Sequence, residues 1–162
     1  MAETAQTRVW WRGVEITARQ RDAFRTAEAW LQMKFKGVSL VPTQGSWADG
    51  KLSGGVHKGA GACDFRTWHY SERQRIYMIH CLKDAGQATW FRPEDWDDNG
   101  GDEHAHVLDR VTTNMNPGGV WQVQQFDAKP PRSGLTSNHI DPTYHPKPSV
   151  KWSYRLKRPV FG

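Results

Sequence analysis

Two short stretches of the sequence place histidine beside carboxylate residues, side chains that commonly bind metal ions in proteins. The first, HKGAGACD, begins at His57 and ends at Asp64, seven residues later. Gly59 and Gly61 allow the backbone between them to fold tightly, so the imidazole and the carboxylate can converge on one point. The alternative is a glycine loop with a surface histidine and an aspartate that bonds only to backbone. The second stretch weighs against that alternative.

The second stretch, DEHAH, begins at Asp102. His104 and His106 alternate along a predicted strand, so both point to the same face of a sheet. An imidazole from this strand, added to the loop histidine and aspartate, gives the three protein ligands of a catalytic zinc site, which keeps a fourth position for water. Glu103, three residues before His106, is the spare carboxylate that such hydrolases use as a general base. Asp102 is its rival for that role.

Two helices are predicted on either side of the glycine-rich loop. The stretch EITARQRDAFRTAEAWLQMKF has Thr17 as an N-cap with Gln20 as its capping-box partner, and it ends before Gly37. Its apolar side chains fall on one face: Phe24, Ala27, Leu31 and Phe35. The stretch SERQRIYMIHCLKDAG has Ser71 as a cap, Gln74 at the reciprocal capping position and Gly86 as its stop.

Short apolar or alternating stretches predict the strands, namely VSLVP, ACDF, ATWFR and HAHVLDRV. PGGVWQVQQFDA predicts a third, short helix. This mixture lacks a regular βαβ rhythm and therefore indicates an α+β fold, with a small, largely antiparallel sheet and flanking helices. From Lys129 onward the chain is rich in proline and irregular. We therefore expect one domain over residues 1–128 and an extended C-terminal tail, 129–162, packed on it.

Charge and composition narrow the classes of function. The chain has 162 residues, enough for one core, and a net charge of +5. A basic protein favours anionic partners such as nucleic acid or an anionic cell-wall polymer, but its lysines and arginines are scattered and predict no nucleic-acid-binding arm. No apolar run is long enough for a membrane span. The opening MAETAQTRVWW lacks the pattern of a signal peptide, which predicts synthesis in the cytosol.

The two cysteines, Cys63 and Cys81, fit neither a zinc knuckle nor a disulfide framework. We expect both to be buried and free. Cys63 adjoins Asp64, but strand alternation directs it to the opposite face, so core packing is expected rather than metal binding.

The pattern H-x-x-x-x-A-x-D followed by E-x-x-H resembles the zinc D-Ala-D-Ala carboxypeptidase and L-alanyl-D-glutamate peptidase family. That family includes bacterial wall enzymes and phage endolysins, with the Hedgehog signalling domain as a distant relative in fold. The resemblance implies that His57, Asp64 and His106 bind Zn²⁺ and that Glu103 is the general base. It also implies a Hedgehog-like fold and peptidoglycan peptides as substrate.

The order TQGSW, GGVHKGAGACD, HAH and SGLTSNHID is similar to a subgroup of actinobacterial phage lysins. This likeness covers about 38–154. The chain departs from the family pattern at Gly55, where serine is usual, and at Ala60, where glycine is usual. The family's carbonyl-polarising arginine has no counterpart in PTQGSW, so Gln44 or Ser46 is expected to donate a hydrogen bond instead.

The resemblance predicts a zinc peptidase that cleaves stem or cross-bridge peptides, acting as an endolysin or a virion-borne wall hydrolase. His104 is expected either to assist catalysis at the reacting oxygen or merely to pack beside the site. Trp47 and Trp68 are candidates to line a substrate groove. Two other classes stay open: a non-catalytic virion or wall-binding protein that retains the fold, and a nucleic-acid-binding domain suggested by the charge alone.

Overall fold

A four-stranded antiparallel sheet carries the residues singled out above. The computed structural model describes residues 2–48, 56–94, 102–112, 115–135, 137–144, 150–153 and 158–161. The helices are α1 Ala18–Lys34, α2 Glu72–Asp84 and α3 Pro117–Phe126, with a short 3₁₀ helix at Val56–Lys58. The strands are β1 Arg8–Trp11, β2 Val14–Thr17, β3 Pro42–Gln44, β4 Ala62–Arg66, β5 Gln87–Arg92, β6 His104–Asp109, β7 Val150–Ser153 and β8 Arg158–Phe161.

The central sheet has the strand order β3-β4-β6-β5, and two-stranded hairpins are formed by β1 with β2 and by β7 with β8. Every pairing among the described strands is antiparallel. In this register Asp64 of β4 lies opposite His106 of β6, and Trp90 of β5 lies opposite the same histidine. The predicted α+β class with a largely antiparallel sheet is confirmed.

One face of the sheet packs against α1 and α2 and forms the main core. Phe65 of β4 and Val107 of β6 are fully buried there. The ring of Phe65 meets that of Phe24 from α1 edge-on, with centroids 4.9 Å apart. Because successive side chains of a strand point to opposite faces, Asp64 and His106 must project from the other face. Their placement follows from the burial of their apolar neighbours.

The second face carries a smaller apolar cluster beneath α3. Ala62, Ala88, Trp90 and Leu108 project from the three strands, and Val123 and Phe126 of α3 pack against them. Trp90 is 1 % exposed, and its ring meets that of Phe126 at a centroid distance of 5.3 Å. Helix α3 therefore lies on the same face as Asp64 and His106, and its inward side chains can reach them.

Both predicted helix caps are confirmed. The Thr17 side chain accepts from the backbone N–H of Gln20 at 3.1 Å and begins α1. The Gln20 side chain, predicted to complete a capping box there, donates instead to the carbonyl oxygen of Gly61 at 2.9 Å. Ser71 and Gln74 form a reciprocal capping box at the start of α2. The apolar face predicted for α1 is buried, because Phe24, Ala27 and Leu31 are each at most 1 % exposed.

Three local predictions differ from the structure. The strand predicted over VSLVP is displaced, because β3 begins at Pro42 instead of ending there; proline is tolerated as the first residue of an edge strand, where its missing N–H is not needed. The hairpin of β1 and β2 was not predicted, and it turns through Arg12 and Gly13, both with positive φ. The C-terminal tail is not wholly irregular, since β7 and β8 pair within it.

Both cysteines are buried and free, as predicted. Burial raises the pKa of Cys81 to about 12 and raises that of Cys63 well above its usual value. Among the described residues, no helix has the length and apolar character needed to cross a membrane. Part of the glycine-rich loop, including Gly55, and the acidic stretch 95–101 lie outside the described residues.

Candidate metal centre

The centre begins with a cross-strand pair. Asp64 and His106 are register partners on β4 and β6, and such partners have Cβ atoms about 4.5–5.5 Å apart. His106 Nδ1 lies 2.8 Å from Asp64 Oδ1. Both residues are buried, at 3 % and 8 % exposure for His106 and Asp64. The antiparallel register alone therefore brings one imidazole and one carboxylate together.

The glycine-rich loop delivers the second imidazole. His57 lies in the 3₁₀ helix and is fully buried, and its carbonyl accepts from the backbone N–H of Ala48 at 2.8 Å. Gly61 has a φ of +87°, which disfavours any other residue. Gly59 has no room for a side chain, because a Cβ there would lie 2.6 Å from the backbone nitrogen of Asn116. These two glycines let the loop return to the sheet at Asp64.

His57, Asp64 and His106 together form a group that could hold a metal ion, with one ligand atom from each residue and all three atoms within 4.8 Å of one another. His57 Nε2 lies 3.2 Å from Asp64 Oδ1. It is buried and makes no hydrogen bond to any described residue. An unsatisfied buried nitrogen costs free energy, and a metal ion coordinated there would remove that cost. Two imidazoles and one carboxylate also suit zinc, so the side chains present fit that ion.

The outward nitrogen of each imidazole is held by an oxygen atom. His57 Nδ1 lies 2.8 Å from the carbonyl oxygen of Gly45. His106 Nε2 lies 2.9 Å from Oε1 of Gln122, on α3. Metal-binding histidines usually donate their second N–H to such an acceptor, which fixes the ring and leaves the other nitrogen for the metal. Both rings of the cluster show this arrangement.

The electrostatics favour a cation at this point. Burial alone would raise the pKa of Asp64, but electrostatic attraction to the neighbouring imidazoles of His57 and His106 outweighs it and holds that pKa below its usual range. Burial lowers the pKa of His57, yet attraction to Asp64 and the bond to Gly45 raise it overall. For His106 burial dominates, so its pKa is lowered. An ionised carboxylate between two imidazoles stabilises a proton or a metal ion between them.

His104 lies at the outer side of this group. Its Nε2 is 3.7 Å from Asp64 Oδ2, and its Nδ1 donates to the carbonyl oxygen of Asp102 at 2.7 Å. The side chain is 15 % exposed, compared with 4 % for His106. His104 therefore adjoins the carboxylate without belonging to the three-residue group, and it is the more accessible of the two strand histidines.

Glu103 is held beside the sheet by other residues. Its Oε1 accepts from the Thr67 hydroxyl at 2.9 Å and lies 3.8 Å from a guanidinium nitrogen of Arg75. Among the described residues, no hydrogen bond or ion pair joins it to the three-residue group. Its rival Asp102 is exposed. The structure thus fixes one oxygen of Glu103 and does not bring its carboxylate into the group.

The three residues expected to bind substrate occupy different surroundings. Gln44 is half-buried and is the register partner of Asp64 on β3. The Ser46 hydroxyl exchanges hydrogen bonds with the backbone of Ala62, donating at 3.0 Å and accepting at 3.1 Å. The ring of Trp47 lies under the guanidinium of Arg8, 4.3 Å from its centroid. Ser46 therefore ties the loop to β4, and Gln44 is the one of the three that adjoins a candidate ligand.

Two residues near the group were missed from the sequence. Gln122 is a buried polar side chain on the face of α3 that also carries Phe126, and a glutamine within an apolar helix face is the signal that could have found it. Arg92 lies opposite His104 in the register and is 4 % exposed. Burial lowers the pKa of Arg92 to about 10, although the carboxylates of Asp141 and Asp64 oppose this. No pattern in the sequence marked Arg92.

Comparison with known proteins returned no match: no family model, no curated protein and no solved structure matches the chain. The assignment of the centre therefore depends on its geometry.

Proposed function

We propose that this protein is a zinc-dependent peptidoglycan peptidase, an endolysin-like hydrolase with a Hedgehog-like fold that cleaves stem or cross-bridge peptides of the bacterial cell wall. The observation that carries the proposal is the convergence of His57, Asp64 and His106, with the orphaned Nε2 of His57 among them. The resemblance of the sequence motifs to wall peptidases supplies the substrate class. The net charge of +5 is consistent with an anionic wall as the site of action.

His57, Asp64 and His106 would hold the zinc ion. A zinc ion there would supply Lewis acidity, which makes water a nucleophile near neutral pH and polarises a peptide carbonyl. Glu103 accepts the proton from the attacking water and passes it to the leaving amine. Its Oε1 is bound by Thr67, so the proton-accepting role falls to Oε2.

The remaining polar residues would orient the substrate. The Nε2 of His104 adjoins the carboxylate of Asp64 on the more accessible side of the centre, where an imidazole carrying hydrogens on both nitrogens can donate to an oxygen of the substrate. Gln44, on the neighbouring edge strand, can donate an amide N–H to the scissile carbonyl. The protein would act after release from the host cytoplasm or as part of a virion.

The test is incubation of the zinc-loaded protein with purified peptidoglycan fragments, followed by mass spectrometry of the products. Glu103→Gln keeps the shape of the side chain but cannot accept a proton. We expect it to retain zinc and to lose roughly 10²–10⁴-fold in hydrolysis. Asp102→Asn is the matched control and should keep most of the activity. A dead Asp102→Asn variant would assign the base to Asp102 instead.

A non-catalytic role is the second candidate, and one observation favours it. The carboxylate of Glu103 is bound to Thr67 and Arg75, and within the described part of the chain it makes no hydrogen bond or ion pair to the three-residue group. A virion or wall-binding protein could retain the metal centre for stability alone. Zinc binding by a wild-type protein that cleaves no peptidoglycan fragment would support this second role and contradict the first.

A further inference from the structure

Gln122 links the candidate metal centre to the C-terminal segment of the chain. Gln122 of α3 is 9 % exposed. Its Oε1 lies 2.9 Å from His106 Nε2, and its amide Nε2 donates to the carbonyl oxygen of Gly134 at 3.1 Å. The two ends of one amide therefore contact a candidate metal ligand and the backbone of residues 129–135.

The chemistry of these contacts fixes their direction. The carbonyl of Gly134 can only accept a hydrogen bond, so the amide NH₂ of Gln122 must face it. The Oε1 atom then faces His106, and because it too can only accept, His106 Nε2 must carry the hydrogen. In a neutral imidazole the lone pair is then on Nδ1, the atom that lies 2.8 Å from Asp64 Oδ1. Two such acceptors in contact are stabilised by a cation bound to both.

The position of Gly134 is itself held by neighbouring contacts. The carbonyl of Arg132 accepts from the indole N–H of Trp90 at 2.9 Å. Asn138 donates to the side-chain oxygen of Gln125, also on α3, at 2.9 Å. Gly134 has a φ of +66°, and a Cβ there would lie 3.3 Å from Cγ of Gln122. Arg132 and Asn138 are thus anchored on either side of the carbonyl that orients Gln122.

We propose that Gln122 is a positioning residue that selects the metal-binding tautomer of His106, and that the segment 129–135 is thereby part of the metal centre. This inference rests on the proposed metal function. It assigns Nδ1 of His106 and Nε2 of His57 as the ligand atoms. It also explains a buried glutamine on an otherwise apolar helix face, where an aliphatic side chain would pack without the cost of burying an amide.

The test measures zinc affinity of the full chain by competition with a chromophoric chelator. Gln122→Met keeps the length of the side chain but removes the acceptor, and it should weaken zinc binding by about 10–100-fold. Gln122→Glu restores an acceptor for the imidazole N–H while losing the donor to Gly134, so it should recover most of the affinity. Gln124→Met is the matched control: it makes the same substitution at an exposed position of the same helix and should leave zinc affinity unchanged.

The outcomes separate this inference from the proposed function. If the wild type binds no zinc, both are wrong. If the wild type binds zinc and Gln122→Met binds it equally well, only the role of Gln122 is wrong. If Gln122→Glu is as weak as Gln122→Met, the glutamine acts through packing alone, which also overturns the inference. Should Gln122→Met fail to fold, Gln122→Asn, which keeps the amide but shortens its reach, replaces it with the same expected loss.

Discussion

Removal of the metal should lower the melting temperature of the protein, because the candidate ligands come together only in the folded chain. His57 lies in the loop, Asp64 on β4 and His106 on β6, which is 42 residues beyond Asp64. The unfolded chain has no comparable site. Zinc should therefore bind the native state selectively and stabilise it by mass action.

The expected shift follows from the affinity and from the size of the chain. Free zinc at 100 times its Kd stabilises the native state by about 2.7 kcal/mol. For domains of about 150–250 residues, each kcal/mol raises Tm by roughly 2–4 °C. We therefore expect the Tm with zinc to exceed that with chelator by about 5–11 °C. The same protein in chelator provides the reference state.

Differential scanning calorimetry with and without chelator measures the shift directly. His106→Ala should abolish it, because that variant lacks one of the three ligands. His69→Ala makes the same chemical change at an exposed histidine outside the group and should keep the shift. A wild type whose Tm does not respond to zinc, or an equal loss of response in both variants, would refute the assignment of the centre.

Two further predictions concern stability. Truncation after Ala128 removes the carbonyl acceptors of two buried side-chain donors, one on β5 and one on α3. Because the loss of each hydrogen bond lowers the free energy of unfolding by about 1 kcal/mol, Tm should fall by at least about 4 °C. Truncation after Tyr144 retains both acceptors and should shift Tm less; equal shifts would contradict the argument. Glu28→Gln should lower the free energy of unfolding by about 1 kcal/mol near pH 7, because Glu28 accepts a charged hydrogen bond from Arg12. The effect is modest because Arg12 is partly exposed to solvent. Burial acts to raise the pKa of Glu28, but the bond from Arg12 and other contacts lower it. In urea titrations, the stability difference between wild type and Glu28→Gln should persist above the usual glutamate pKa and vanish as the pH falls through the lowered pKa of Glu28. A stability difference that does not depend on pH would exclude the ionic contribution.

The sequence by itself determined the local features of this protein. The caps at Thr17 and Ser71 and the apolar face of α1 were predicted because each depends on residues within a few positions of one another. The pairing of His57 with Asp64 across two glycines is another such local feature, because the two residues are seven positions apart. Strand alternation also predicted that Cys63 enters the core and that Asp64 faces the other way.

Only the tertiary structure decided which atoms complete the centre. The carbonyl of Gly45 meets His57 across 12 positions, and Gln122 meets His106 across 16. Neither contact leaves a periodic trace in the sequence, because each depends on how a loop and a helix pack on the sheet. The contacts of Ser46 and Arg92 were likewise decided by packing. Ser46 was expected at the substrate but is hydrogen-bonded to Ala62. Arg92 is brought opposite His104 by the strand register. Hydrogen bonds between distant residues are fixed by packing, which local spacing does not encode.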